Sequence, residues 1–306
     1  MRPFSKCAGV AVGAAVAVTS AGAFAQAPGP TVKLRIADAN VVSGQAVKVS
    51  GSAPREFAGR VVQLEFAPRG GEWTAVATTT LGRKGRYSMA RTLPRSGALR
   101  VTLAPAPDTA SAAAASRAAV VSVATRVGIR TRRLNVRAGR RASVGGRIFP
   151  AARGVRVSLQ VRRRSHWRPI GRARTSATGR FSLRDRRRAT QSARIRVVVA
   201  PHAGLARGRR QLGRLNVYRV AQASWYGPGF YGQRTGCGGR LGYGQLGVAH
   251  KTLPCGTRVT FRHRGRVVRV PVIDRGPYVG NREYDLTAPV ARRLGFKGHG
   301  PILTTR

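Results

Sequence analysis

From Val47 onward the chain alternates apolar and polar residues in short runs broken by Gly, Pro or Ser. Val62, Leu64 and Phe66 fall on one side of such a run, and Val61, Gln63 and Glu65 on the other. Val155, Val157, Leu159 and Val161 alternate in the same way with Arg156, Ser158 and Gln160. A period of two with frequent turn residues predicts half-buried antiparallel strands. The pattern also repeats. Val47-Lys-Val-Ser-Gly-Ser, Gly59-Arg-Val-Val-Gln-Leu, Trp73-Thr-Ala-Val, Gly85-Arg-Tyr-Ser and Leu99-Arg-Val form a first copy. Ala142-Ser-Val-Gly-Gly-Arg, Gly154-Val-Arg-Val-Ser-Leu, Trp167-Arg-Pro-Ile, Gly179-Arg-Phe-Ser and Ile195-Arg-Val form the second, in the same order. Each copy holds enough short strands for a small β-sandwich of immunoglobulin or fibronectin type, over residues 30–103 and 120–200. Trp73 and Trp167, at matching strand positions, are expected in the two cores. Residues 104–119, rich in Ala, Pro and Ser, read as a linker, and the basic stretch 201–220 as a second one.

After Ala221 the texture changes. Glycine becomes dense and Trp225, Tyr226, Phe230, Tyr231 and Tyr243 cluster. Strand-like runs follow at Arg258-Val-Thr-Phe-Arg-His and Val267-Val-Arg-Val-Pro-Val-Ile, with a turn signal at Arg264-Gly265 between them. One short helix is predicted, with Thr287 as N-cap, Pro289 in the first turn and Gly295 just past the end. Strands with a single helix over residues 221–306 predict a compact β-barrel. The fold class is therefore all-β throughout.

The N-terminus adds a compartment. Arg2 and Lys6 precede the apolar run Ala8 to Val18, and Ala23-Phe24-Ala25 has the form of a cleavage signal, so residues 1–25 read as a signal peptide. The run is too short to span a bilayer, and no transmembrane segment is expected after cleavage. Export leaves Cys237 and Cys255, whose even count in an oxidising compartment predicts a disulfide. Closing that loop stabilises the fold by about 3 kcal/mol in the chain-entropy model. Two cysteines lack the ligand count for zinc; no metal or cofactor is expected.

Charge is extreme: 57 Lys+Arg against 9 Asp+Glu, a net +48, with only six lysines. Such a surface attracts polyanions, and export favours anionic wall polymers or lipid headgroups over nucleic acid. No specific nucleic-acid motif is visible. Arginine, alanine, glycine and valine enrichment is also what GC-rich coding produces, so charge alone names no partner.

Acids are correspondingly rare, and beyond Ala221 there are only Asp274, Glu283 and Asp285. Asp274 ends the apolar run Val272-Ile273 and is followed by Arg-Gly-Pro; His250 lies in Gly247-Val-Ala-His-Lys-Thr-Leu-Pro. Ala223-Ser-Trp-Tyr-Gly, Ala249-His-Lys-Thr-Leu-Pro-Cys-Gly-Thr, Val272-Ile-Asp-Arg-Gly-Pro and Tyr284-Asp-Leu-Thr occur in this order. Together they resemble the RlpA-type (rare lipoprotein A) double-psi β-barrel of septal lytic transglycosylases, a relative of the expansin and family-45 glycosidase barrels. The resemblance implies engagement and cleavage of peptidoglycan glycan strands, with Asp274 as the acid and His250 as its partner. Expansin-like relatives point to Asp285 as a second acid, against a reading in which it caps a turn before the helix. Trp225, Tyr226, Tyr231 and Tyr278 are candidates for sugar stacking, and Arg275 for a substrate contact. The glutamate that the family carries upstream of the histidine is replaced by Gly239, within Cys237-Gly-Gly-Arg.

The missing glutamate does not end the enzymatic reading. Ordinary glycoside hydrolysis needs two carboxylates. A lytic transglycosylase instead uses the sugar's own C6 hydroxyl as nucleophile, so one group can donate a proton and later accept one. The alternatives are a non-catalytic, expansin-like glycan-binding module and an arginine-rich polyanion-binding wall protein.

Overall fold

The computed structural model describes residues 32–104 and 114–306; the expected signal peptide lies outside them. Within those residues the regular structure is strand, apart from one α-helix, Ala288–Leu294, and a single 3-10 turn, Arg55–Phe57. No helix among the described residues is long and apolar enough to cross a membrane.

Three buried clusters organise the chain. The first draws Val47, Val49 and Tyr87 from a three-stranded sheet, and Leu64, Leu99 and Val101 from a second sheet, so the two sheets pack face to face. The second cluster repeats the arrangement with Val144 and Leu183 on one sheet and Val157, Leu159, Ile195 and Val197 on the other. Alternation along each strand is what buries one face and exposes the other. The third cluster, with Val248, Phe261, Tyr284 and Leu286, belongs to the C-terminal barrel.

Both segments read from sequence as linkers contribute strands. Residues 105–113 lie outside the described chain, but Ala114–Ala115 pairs with Gly97–Leu103; Ala119–Ala124, most of it expected at the start of the second module, pairs with the same strand and puts Val121 and Val123 into the first core instead. The second case is larger. Gly208–Tyr226 is one 19-residue strand, not a basic linker. Its first half pairs with Gln191–Val199 and supplies Leu212, Leu215 and Val217 to the second core. Its last residues pair with Tyr284–Thr287 and Gly300–Thr304 in the barrel. The two final strands are homologous within the repeat, and both hide behind unusual flanks: an alanine tract in one copy, arginines in the other.

The tryptophans also differ from expectation. Neither Trp73 nor Trp167 belongs to a buried cluster. Each is half-buried under a guanidinium instead, with Arg100 4.4 Å from the Trp73 ring centroid and Arg196 4.2 Å from that of Trp167.

In the barrel, the helix stands where sequence places it, with Thr287 at the N-cap, Pro289 in the first turn and Gly295 left-handed at φ 64°. The Thr287 hydroxyl does not cap the helix. It donates to the Gln245 carbonyl at 2.8 Å and accepts from Gly247 N–H at 3.3 Å, tying the incoming loop to the helix start.

Candidate active site

The site is assembled by four neighbouring strands, and their register decides which side chains meet. Val248–His250 lies between the Tyr284–Thr287 strand and the end of the Arg266–Asp274 strand. Ala249 stands opposite both Asp274 and Asp285, and Asp285 opposite Ser224. Residues that face one another across strands share a side of the sheet, and sequence neighbours take opposite sides. Ser224, Tyr226, Asp274 and Asp285 therefore share one face. Val248, His250, Tyr284 and Leu286 share the other, which is the barrel core.

The first face opens into a groove of about 550 Å³ whose lining includes Trp225, Tyr226, Phe230, Asp274, Tyr278 and Asp285. Its rim is apolar and solvent-facing, with Tyr278 76% and Phe230 51% exposed. Its floor is polar and incompletely paired. Ser224 Oγ, Tyr226 Oη and Asp285 Oδ1 are all buried without a hydrogen-bond partner. Ser224 acts on Asp285 and Asp274 on Tyr226, so these groups form one buried polar cluster with hydrogen-bonding capacity left for a ligand. Burial raises the Asp285 carboxyl above the ordinary carboxylate range, and the nearby Asp274 adds to this, against the opposing pull of Ser224 and Arg282. The Tyr226 phenol is also pushed up, first by burial and then by Asp274 and Asp285. Asp274 is positioned by backbone: its Oδ1 accepts from Gly236 N–H at 2.6 Å and from Arg275 N–H at 2.8 Å.

His250 does not line this groove. It is 9% exposed and its ring lies 4.9 Å from that of Tyr284, which is itself fully buried. Its Nδ1 accepts from the N–H groups of Thr252 and Leu253 at 3.1 and 3.0 Å, which places the ring proton on Nε2. Nε2 points toward Glu283 Oε1, 3.7 Å away and beyond hydrogen-bonding distance. Burial lowers the His250 pKa, outweighing Glu283. Glu283 is taken by Arg219, which grips both of its oxygens and holds its pKa low in spite of burial.

The remaining expected residues divide. Trp225, Tyr226 and Tyr278 line the groove; Tyr231 does not, and stacks on Tyr243 at a centroid distance of 3.9 Å. Arg275 reaches the lining, but its guanidinium is turned toward the protein. It donates to the carbonyls of His250 and Leu253 at 3.1 and 2.8 Å, and to Cys255 Sγ at 3.1 Å. Cys237 and Cys255 form a disulfide. That bond fixes the glycine loop whose Gly236 N–H holds Asp274. A side chain at Gly236 would come within 2.6 Å of Arg275 Cγ, so the close approach requires glycine. Gly239, at the position of the family glutamate, is exposed with φ +82° and nothing within 4 Å of an added Cβ. Phe230, Val279 and Arg282 also line the groove; of these, sequence names Phe230 only as part of the aromatic cluster, and none of the three is among the expected site residues. Phe230 and Arg282 lie near the motifs but outside them.

Residues 219–304 match the model of a family described as lytic transglycolase. The probable endolytic peptidoglycan transglycosylase RlpA of Synechocystis is 44% identical over 101 residues, which cover 29% of this chain and 32% of that protein. Endolytic peptidoglycan transglycosylase RlpA of Neisseria meningitidis is 43% identical over 84 residues, 27% of this chain and 35% of its own. That of Campylobacter jejuni is 45% identical over 80 residues, 26% and 29%. The chain thus spans about a third of the length of these curated relatives. Among solved structures, the tetra-tandem repeat from the extending region of a large adhesion protein aligns over 83% of this chain and 64% of that one, at 14% identity and TM-score 0.28, too low to bear on the fold. The C-terminal region of this chain, residues 219–304, is an RlpA-like double-psi β-barrel.

Proposed function

We propose that the barrel binds peptidoglycan glycan strands in the Asp274/Asp285 groove and cleaves them by lytic transglycosylation. The observation that carries this reading is the pairing of two carboxylates on one groove floor, one of them held toward its protonated form. Asp285, with its raised pKa, is the proton donor. Asp274, fixed by two N–H bonds, is the acceptor. As the glycosidic C1–O bond breaks, Asp285 gives its proton to the departing oxygen. The sugar's C6 hydroxyl attacks C1 and passes its proton to Asp274, forming the 1,6-anhydro ring without consuming water. Proton exchange with solvent then resets both acids. The exposed aromatics Trp225 and Tyr278 stack on sugar faces along the rim. His250 keeps the 250–253 turn and the barrel core in shape and takes no part in proton transfer, in contrast to the partnership with Asp274 expected from the motif.

The names of the curated relatives agree with this reaction, and the signal-like N-terminus agrees with an extracytoplasmic site in the cell envelope. The two N-terminal units serve, in this reading, as immunoglobulin- or fibronectin-type spacers. The test is digestion of peptide-free glycan strands by wild type, Asp285→Asn and Asp274→Asn, with mass spectrometry of the ends. Anhydro ends from wild type alone are expected; their absence from wild type overturns cleavage. A second reading, glycan binding without cleavage, is favoured by one observation. Gly239 leaves the family's glutamate position empty of any acid, on an exposed left-handed turn. Retained glycan pull-down with no anhydro product decides for it.

A further inference from the structure

The two repeat copies place the same backbone under two different surfaces. In the first copy, the outer face of the sheet is close to neutral. Arg100 pairs with Glu65 at 2.6 Å and lies over Trp73, while Val61, Thr78, Thr80 and Ala98 surround them. In the second copy the geometry recurs around Arg196, which donates to Gln160 at 2.9 Å and lies over Trp167. The acid has become an amide. At the positions of Val61, Thr78, Thr80 and Ala98 stand Arg156, Arg172, Arg174 and Arg194. The cross-strand pair Ala98/Val120 has become Arg194/Arg214. Coding bias acts on both copies alike, so it does not account for arginine gathering on one of two homologous faces.

This face is hollow and lacks counter-charge. One groove of about 690 Å³ is lined by Arg156, Arg172, Arg174, Arg196 and Arg207. A separate groove of about 900 Å³, lined by Arg162, Arg164, Arg168 and Arg306, lies at the other end of these strands, near the barrel contact where Thr260 meets Ser192 at 3.2 Å. Between residues 120 and 220 the one acid is Asp185, and it is engaged by Arg187 on the opposite sheet. The guanidinium groups depress one another: Arg214 is lowered by burial and by Arg194, and Arg269 of the barrel by burial and by Arg214. Crowded like charges of this kind are relieved by a bound polyanion.

We propose that the outer face of the second module is a binding site for a linear phosphodiester polyanion of the cell wall. Strand spacing sets arginines about 5 Å apart across strands and about 7 Å apart along them, the length scale of charges on an extended phosphodiester chain. Guanidinium groups suit phosphate because they offer paired donors. Single-stranded nucleic acid fits less well, because the face's one aromatic, Trp167, already has Arg196 stacked over its ring rather than a row of free rings for bases. A bilayer fits less well too: the face is grooved, and among the described residues none of the exposed large apolar side chains lies on it. The assignment to the wall rests on the peptidoglycan reading of the barrel; the anion site itself does not.

The test uses the full chain and a labelled glycerol-phosphate polymer, followed by fluorescence anisotropy across a salt series. One variant returns the face to its first-copy residues: Arg156→Val, Gln160→Glu, Arg172→Thr, Arg174→Thr and Arg194→Ala. A control with the same charge change carries Arg130→Ala, Arg132→Ala, Arg141→Ala, Arg180→Ala and Arg184→Ala on the opposite sheet. The face variant is expected to lose about tenfold or more in affinity and to show a shallower salt dependence, with the control losing less than about threefold. Equal losses in both variants would mean net charge alone and overturn the site. Tighter binding of single-stranded DNA, or of phosphatidylglycerol-containing vesicles, than of the polymer would overturn the wall assignment. Anhydro-product release from glycan strands, run in parallel, reports separately on the barrel, so failure of either reading leaves the other measurable.

Discussion

The two faces of the barrel sheet hold the same kinds of residue and put them to different uses. On the groove face, Asp274 and Asp285 converge with Ser224 and Tyr226, and three of these four side chains carry a buried atom with no partner. On the core face, His250 is packed on Tyr284 with its Nδ1 fully engaged, and Glu283 is neutralised by Arg219. One face opens to the groove; the other is packed into the barrel core. An ionisable residue in a family motif is thus told apart by whether it faces the open groove or the packed core.

The sharpest way to break this comparison is to disable each face in turn. Asp285→Asn is expected to reduce glycan cleavage by about 10²-fold or more, read as anhydro ends by mass spectrometry, with the protein still folded. Gly236→Ala is expected to cost about tenfold in the same assay, because the new Cβ meets Arg275 and shifts the N–H that holds Asp274. His250→Ala should act on stability, by about 1–3 kcal/mol in chemical denaturation, since Thr252 and Leu253 N–H lose their acceptor. The activity of the folded fraction should change less than about threefold; a 10²-fold loss there would place His250 in the chemistry after all.

The pH dependence of stability sharpens the contrast further, because the two faces tilt it in opposite directions. Asp285 binds its proton more tightly folded than unfolded. Its contribution is complete below the ordinary carboxylate range and is lost as pH rises through its raised folded value. Asp285→Asn should therefore be more stable than wild type at neutral pH and equal to it in acid. His250 has a folded pKa below 6.5, so its contribution is complete above 6.5 and is lost as pH falls through the folded value. His250→Gln should flatten that acid limb in thermal melts. The smallest effect belongs to Tyr231→Ala: Tyr231 stacks on Tyr243 and does not line the groove itself, and glycan affinity should stay within about twofold by pull-down.

Much of this was legible in sequence, and the failures have definite causes. The four motif blocks give the barrel, and the alternation of Val47 to Leu103 and its echo give two units with matching strands. The motif alone sets His250 beside Asp274, whereas the strand pattern carries the other signal: Val248 is buried, and period two puts His250 on the same side. The last strand of each unit is hard to read: the alanine tract before Val121/Val123 suggests a break that hands this strand to the second unit, and arginines mask the pattern of Leu215/Val217. Trp73 and Trp167 were placed in the cores because sequence alone does not reveal that Arg100 and Arg196 cover them at the surface.

What the sequence determined by itself is whatever depends on local order: strand periodicity, the turns, the short helix with its Pro289 and Gly295, and an excess of positive charge. Which residues meet was left to the tertiary structure. Only the register of Val248–His250 against its neighbours brings Asp274 beside Asp285 and turns His250 away. Only the pairing of Arg156–Arg163 with its flanking strands gathers scattered arginines onto one hollow face. The physical reason is common to both cases. A strand's own sequence sets the alternation of its side chains, whereas long-range hydrogen-bond register sets which neighbour each one faces, and charge and pKa depend on that neighbour.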